Sequence, residues 1–351
     1  MGSTTQSPSC DMFVANERRK TPTSKLPGNG SLDLSGRRGH EYHAEANLLS
    51  GALRRPIVQE IPEQAALCLR DWRGGHLHQR VQHYDLEGLI TFKRGYTRVS
   101  GYRGLKTGNP FVTLSTAVIE DLNVFDVVTA DRVVVQISTE HPEPTKDGKD
   151  LGHVPRVHFL GTRFDNLRIS GVEISTTLNP EICPSRPAAD VPYLFNQGFL
   201  DKVKSQVTKV KAFQDVPQEL KDRSEEFLQD YTAEAKEIEC LEELVKNQPN
   251  GEPMNDEPKN HKLVCSLFNT ISIPASLPGV TAVENVIYAR DFGILTLGSL
   301  EVGRTFEGYD ENKKPMMSNY FTLRMLDMRL GCVGDGKVVA ASGSGNGKGK
   351  P

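Results

Sequence analysis

The sequence has no long apolar run, little aromatic content and no cysteine pattern. No apolar stretch approaches the ~20 residues that a membrane-spanning helix needs, and residues 1–20 contain no apolar segment typical of a secretory signal. The six cysteines form no Cys-x-x-Cys pair and show no regular spacing, which excludes a zinc or disulfide framework. We therefore expect a cytoplasmic chain with reduced cysteines and no membrane contact.

A strong charge of one sign is also absent. The 351 residues include 42 Lys and Arg against 45 Asp and Glu, a net charge of −3. A weakly negative chain lacks the overall positive field that attracts nucleic acid, so the composition argues against a nucleic-acid partner. Residues 54–106 are a local exception, because they are basic and interleave Tyr84, Phe92, Tyr96 and Tyr102. That pattern suits either a solvated sheet surface or a face that binds phosphates and stacks bases.

The dominant pattern is that of β-strands. Residues 111–118, 132–139 and 263–273 are rich in β-branched side chains and roughly alternate in polarity. Glycine and proline interrupt the chain at short intervals, and no alternation of strands with helices appears. The sequence predicts a mainly β protein, with a sandwich-like or barrel-like antiparallel domain.

One block departs from this pattern and predicts two helices. Apolar residues recur three and four apart from Phe195 to Phe213, and again from Pro217 until Asn247 and Pro249 end the second helix. The first helix has four lysines and one aspartate between Asp201 and Lys211, whereas residues 217–246 hold ten acidic and four basic side chains. A short turn joins them, so we expect an antiparallel helical hairpin with complementary charges.

These patterns divide the chain into four parts. We expect a disordered arm at 1–39, a β domain at 40–183 plus 260–334, an inserted helical hairpin with linkers at 184–259, and a flexible Gly/Ser/Lys tail at 335–351. A two-helix pair has only one seam to bury. The region 195–248 therefore needs a further apolar surface, either the β domain or another copy of the chain, and we favour a combination of both; we expect a protein partner or self-association through this hairpin.

Several segments resemble a known family. These are Ser-Thr-Ala-Val-Ile-Glu-Asp-Leu-Asn-Val at 115–124, Val-Thr-Ala-Asp-Arg-Val at 128–133, Phe-Asp-Asn-Leu-Arg-Ile-Ser-Gly at 164–171, and the closing stretch 319–342. They are similar to the choice-of-anchor P family of bacterial proteins over about half the chain. The resemblance implies a bacterial, β-rich protein. It implies no activity, because that family has none assigned, and this chain lacks the export signal of its members.

The histidines offer the one candidate metal site. His76 and His78 are two residues apart, so in a strand both imidazoles would lie on one face and could bind one divalent transition metal, with His83 or Glu87 as the third ligand. The cupin pattern has Glu four or five residues after His-x-His, where this chain has Gln82 and His83. An exposed polar face of an edge strand is the competing interpretation.

No nucleophile elbow, phosphate-binding loop or catalytic cysteine motif is present. We therefore expect a non-catalytic structural or protein-interaction protein without a cofactor, which acts through its β-domain and hairpin surfaces. The alternative is a metal-dependent β-barrel enzyme that uses His76 and His78.

Overall fold

The computed structural model describes residues 40–104, 110–141, 154–183, 191–247, 259–274, 277–309, 313, 315–331 and 335–349. The arm predicted at 1–39 lies outside these residues. The described chain contains helices α1 (Gln197–Ala212) and α2 (Lys221–Asn247). Its strands are β1 (His40–Arg55), β2 (Gln59–Ile61), β3 (Leu67–Asp71), β4 (Gly75–Val81), β5 (Tyr84–Leu86), β6 (Ile90–Phe92), β7 (Arg94–Arg103), β8 (Phe111–Val124), β9 (Val128–His141), β10 (Arg156–His158), β11 (Arg163–Asp165), β12 (Arg168–Ile169), β13 (Val172–Glu173), β14 (Ser175–Leu178), β15 (His261–Ser266), β16 (Phe268–Ser272), β17 (Val280–Val283), β18 (Val286–Ala289), β19 (Gly293–Tyr309), β20 (Pro315–Leu330) and β21 (Asp335–Gly349).

The strands form two large antiparallel sheets. The first sheet has the order β17-β18-β19-β20-β21-β1-β2, with β15 paired to β19 and β3 paired to β1. The second sheet is centred on β8 and β9; β7 pairs with β8 and with the edge strand β4. The predicted fold class is confirmed: the protein is mainly β and antiparallel, with one pair of helices, and its sheets do not close into a barrel.

The core lies between the two sheets and extends to the helices. Leu48 of β1, Ile119 of β8, Val135 of β9 and Ala340 of β21 are fully buried in one apolar cluster. A side chain added at Gly95 of β7 would lie only 2.6 Å from Leu48. This spacing identifies a closely packed sandwich.

Residues 335–349 form a central strand, so the prediction of a flexible tail at 335–351 was wrong over this range. β21 pairs with β1 along one edge and with β20 along the other. A Cβ atom added at Gly343 would lie 2.9 Å from Ser115 Oγ and 3.0 Å from Val135 Cγ1 of the opposite sheet. The small residues permit this close approach of the sheets; their composition alone suggested a linker.

The helical hairpin has the predicted helices and charges. α1 begins after Asn196, whose Oδ1 accepts a hydrogen bond from the Phe199 N–H at 2.9 Å. Lys204 Nζ donates to both carboxylate oxygens of Glu242 at 2.9 Å, which links the basic first helix to the acidic second helix.

The β domain covers the apolar side of the hairpin. Leu200 and Val203 of α1 and Leu241 of α2 are fully buried in the main core, and Phe227 contacts Tyr288 of β18. The chain therefore supplies within itself the further surface that the hairpin requires, while self-association stays a prediction. No helix in the described residues is long and apolar enough to cross a membrane.

Candidate functional site

A cleft of about 670 Å³ lies between α2 and the neighbouring strands of the first sheet. Its floor and walls combine aromatic side chains of α2 with a dense set of charges. The ionisable groups are Asp230, Glu234 and Glu237 of α2, Lys262 of β15, Glu301 of β19, Arg324, Asp327 and Arg329 of β20, and Lys337 of β21. Carboxylates thus outnumber cations by five to four.

Glu234 lies on the side of α2 that faces the strands. Phe227, Tyr231, Ile238 and Leu241 recur at helical spacing on this side, and Glu234 occupies the position between Tyr231 and Ile238. Its carboxylate accepts a hydrogen bond from the backbone N–H of Val264, which faces away from β19 on the open edge of β15.

The neighbouring N–H of that edge is satisfied in the same way. Gln206 Oε1 of α1 accepts the Ser266 N–H at 2.9 Å. The hairpin therefore protects an otherwise open strand edge, which would be a template for aggregation if it were exposed.

Burial raises the pKa of the Glu234 carboxyl to about 7. The Val264 N–H and the Lys262 ammonium favour its charged form, whereas the carboxylates of Glu301 and Glu237 disfavour it. Glu234 is therefore divided between its protonated and charged forms near neutral pH, and a small change in nearby charge is enough to shift that balance.

The floor of the cleft is acidic. Glu301 and Asp327, on the adjacent strands β19 and β20, have side chains that are only 13% and 14% exposed. Tyr320 donates its hydroxyl hydrogen bond to Glu301 Oε1 at 3.0 Å. Asp327 Oδ1 is buried and has no hydrogen-bond partner. A buried acceptor without a partner is stabilised by any hydrogen-bond donor that enters the cleft.

The cations of the cleft form ion pairs with these carboxylates that are longer than direct hydrogen bonds. Lys262 Nζ and an Arg324 guanidinium nitrogen lie 3.8 and 3.6 Å from Glu301 Oε2, and Lys337 Nζ lies 3.4 Å from Asp327 Oδ2. Direct charge-assisted hydrogen bonds are about 2.7–2.9 Å long. The two lysines are 65% and 53% exposed, so the ammonium groups belong to the rim and the carboxylates to the floor.

An irregularity in β19 shapes the strand side of the cleft. Gly298 has a φ of +58°, in the left-handed region, and a Cβ atom there would lie 2.3 Å from the Phe268 ring. The alternation of side chains changes at this point, so Thr296 and Ser299 both line the cleft although they are three residues apart.

The predicted metal ligands lie elsewhere. His76 and His78 are exposed on β4, opposite Ser100 and Arg98 of β7, and share one face as expected. Arg80 Nε donates a hydrogen bond to His78 Nε2 at 3.2 Å, which places a cation beside that nitrogen.

His83 is exposed after the end of β4. The one group of three potential ligands among the described residues is His43, Glu45 and Cys68. Cys68 is disulfide-bonded, so it offers no thiolate to a metal, and the expectation of reduced cysteines was wrong at this position. Metal binding by His76, His78 and His83 stays a prediction.

Comparison with known proteins gives a family and no function. Residues 40–303 match the model of a family described as a domain of unknown function (DUF8256). The chain belongs to the DUF8256 family. No curated protein and no solved structure matches it. The resemblance to the choice-of-anchor P family stays a prediction.

The DUF8256 match extends from β1 into β19 and includes both helices. The cleft residues Glu234, Lys262 and Glu301 therefore lie within the matched region, whereas Asp327 and Lys337 lie beyond it. Sequence reasoning missed all five. The available signal was a carboxylate in the apolar stripe of α2, where Glu234 interrupts the series that runs from Phe227 to Leu241.

Proposed function

We propose that this DUF8256 protein is a non-catalytic binding protein whose cleft takes a small organic cation with an ammonium or guanidinium group. The observation that carries the proposal is the acidic floor, where the side chains of Glu301 and Asp327 are only 13% and 14% exposed and their cationic partners lie 3.4–3.8 Å away. This function agrees with an interaction role for the β domain and the hairpin, since both contribute walls of the cleft.

The distribution of charge favours a cation over an anion. The rim lysines are largely exposed and extend into water, so an anion would meet them where solvent screening is strong. The floor carboxylates are largely shielded from water. An opposite charge interacts with them more strongly there than it would in bulk water. Each carboxylate offers about four lone-pair positions, and Asp327 Oδ1 accepts no hydrogen bond.

Glu234 would couple ligand binding to a proton. A cation near the floor favours the charged form of Glu234, so the ligand would lower its raised pKa and release its proton. The bound cation would thereby gain a further carboxylate partner.

The size of the cleft and the arrangement of its ligands favour an organic cation over a metal ion. The described residues of the cleft do not bring three carboxylate oxygens into one metal-sized group. Phe227 and Tyr231 line the helix wall and would contact the methylene groups of an alkyl ammonium ion.

Calorimetric titration with three ligands of one chain length tests this proposal. The probes are 1,4-diaminobutane, neutral 1,4-butanediol and the dianion succinate. We expect saturable binding of the diammonium ion at millimolar concentration or below, and no binding of the other two. Asp327→Asn should weaken binding by about tenfold or more, since a hydrogen bond to a charged group contributes about 1.5–3 kcal/mol.

Asp291→Asn is the matched control, because Asp291 is exposed in the turn between β18 and β19. It should leave binding unchanged, and thermal melting should verify that both variants fold. Stronger binding of succinate, or no saturable binding of the diammonium ion, would contradict the proposal.

A further inference from the structure

The outer side of the second sheet has a second surface with a different chemistry. We name it the basic aromatic face and define it by His78 and Arg80 of β4 and Arg94, Tyr96, Arg98 and Tyr102 of β7. His78 lies directly opposite Arg98, and Arg80 opposite Tyr96. Cross-strand partners point to the same side of a sheet, and side chains two apart along one strand do likewise. The six side chains therefore share one face.

Two tyrosines of this face are exposed. Tyr96 and Tyr102 are 37% and 50% exposed, although β7 also contains the fully buried Val99. The other aromatic residues of this basic segment behave differently: Phe92 is buried, and Tyr84 stacks on it with ring centroids 5.2 Å apart. The rings of Tyr96 and Tyr102 are thus available to a partner.

The charges of the face are mainly positive. Among the described residues, Arg80 and Arg98 form no ion pair, and Arg80 donates instead to His78. Glu120 of β8, directly opposite Arg94, forms ion pairs with both Arg94 and Arg132. Its negative charge is therefore neutralised, and the field of the remaining arginines persists.

A small cavity lies among these residues. It has a volume of about 230 Å³, and its lining includes Arg80, Arg94, Tyr96 and Glu120. Arg94 is engaged by Glu120 there, so Arg80 is the arginine of the cavity that is left to bind a phosphate, which guanidinium groups hold with paired hydrogen bonds.

We propose that the basic aromatic face binds single-stranded nucleic acid. The arginines would hold backbone phosphates, and unpaired bases would stack on Tyr96 and Tyr102. These tyrosines are six residues apart on one strand, or roughly 20 Å, so the footprint is a segment of several nucleotides. A duplex keeps its base faces stacked inside the helix, which leaves the tyrosines no stacking partner.

The negative net charge of the chain argued against such a partner. Binding depends on the local distribution of charge, however, and this face combines arginines with exposed rings.

Fluorescence anisotropy with a labelled thymidine oligonucleotide of about twenty residues tests the proposal on the full chain. We expect saturable binding that weakens with salt, with a log–log slope of about −1.4 for phosphate contacts by Arg80 and Arg98. Tyr96→Ala and Tyr102→Ala should each weaken binding about tenfold, whereas Tyr96→Phe should retain it. Arg80→Gln combined with Arg98→Gln should reduce the salt slope.

Two substitutions at exposed positions away from this face, Tyr309 at the end of β19 and Arg290 in the turn between β18 and β19, are the matched controls. Tyr309→Ala and Arg290→Gln remove the same residue types from other surfaces and should leave binding unchanged. Equal losses in the control variants would overturn the proposal. Equally tight binding of a duplex of the same length would also overturn it. Binding of the sulfated polysaccharide heparin without binding of the oligonucleotide would do the same.

Discussion

Replacing Glu234 by glutamine should stabilise the folded protein at pH 8 and leave its stability unchanged at pH 4. Burial raises the pKa of this carboxyl to about 7 from an ordinary value of 4.5. Below pH 4.5 both the folded and the unfolded chain hold the proton. Between pH 4.5 and pH 7 the unfolded chain loses the proton while the folded chain still holds it. The folded state is therefore progressively destabilised as the pH rises through this range.

The expected size follows from the two pKa values. A difference of about 2.5 pKa units corresponds to about 3.5 kcal/mol at about 1.4 kcal/mol for each unit, which is an upper bound for the penalty above pH 7. Glutamine is neutral and similar in size, and its Oε1 can still accept the Val264 N–H. Glu234→Gln should therefore remove the penalty, and urea unfolding from pH 4 to pH 8 would measure the difference from the unsubstituted protein.

Glu226→Gln is the control, because Glu226 is an exposed glutamate of the same helix. This substitution should change the free energy of unfolding by no more than about 0.5 kcal/mol at every pH. The reasoning would be refuted if Glu234→Gln destabilised the protein at pH 8, since Glu234 would then be a charged carboxylate held by Lys262.

Four further predictions concern the buried core, the pH dependence of stability and the candidate metal ligands. Leu200 is fully buried, so Leu200→Ala should lower the free energy of unfolding by about 2–5 kcal/mol, as measured by urea unfolding. An unchanged free energy would place the hairpin outside the core. Gly343→Val should lower the melting temperature by overpacking the sheet interface, with a loss of about 1–3 kcal/mol; an unchanged melt would argue against β21 as a central strand. Burial and a neighbouring histidine lower the pKa of His40 to about 2. Stability should thus decline below pH 6.5 by up to about 1.4 kcal/mol per pH unit, and His40→Phe should reduce that slope. His76→Ala with His78→Ala should leave melting unchanged, and untagged protein should contain less than stoichiometric transition metal; a stoichiometric ion lost on this substitution would establish the metal site.

The helices and most long strands could be predicted because their side chains report their surroundings. Phe199, Val203, Val207 and Val210 recur at the spacing of one buried helix face, and all four are buried in α1. β21 could not be predicted in this way. Gly343 and Gly345 have no side chain with which to indicate a core position, and the constraint on them comes from the opposite sheet.

The cleft was unpredictable for a different reason. Glu234, Lys262, Glu301 and Asp327 are far apart in the sequence, and each looks like an ordinary surface charge by itself. The left-handed Gly298 also changes which side chains of β19 face the cleft, so strict alternation assigns Thr296 and Ser299 to opposite sides. Only the packing of α2 against the strands brings these groups together.

The proton released on binding tests the central claim most directly. Titration of the protein with 1,4-diaminobutane at pH 7, in phosphate and in HEPES, yields the number of protons released from the dependence of the heat on the buffer. The amines stay charged at this pH because their pKa values lie near 10. We expect release of a fraction of a proton per bound ligand, since the raised pKa keeps Glu234 partly protonated near pH 7, and no release with Glu234→Gln. Binding without proton release, or equal release by both proteins, would contradict the account.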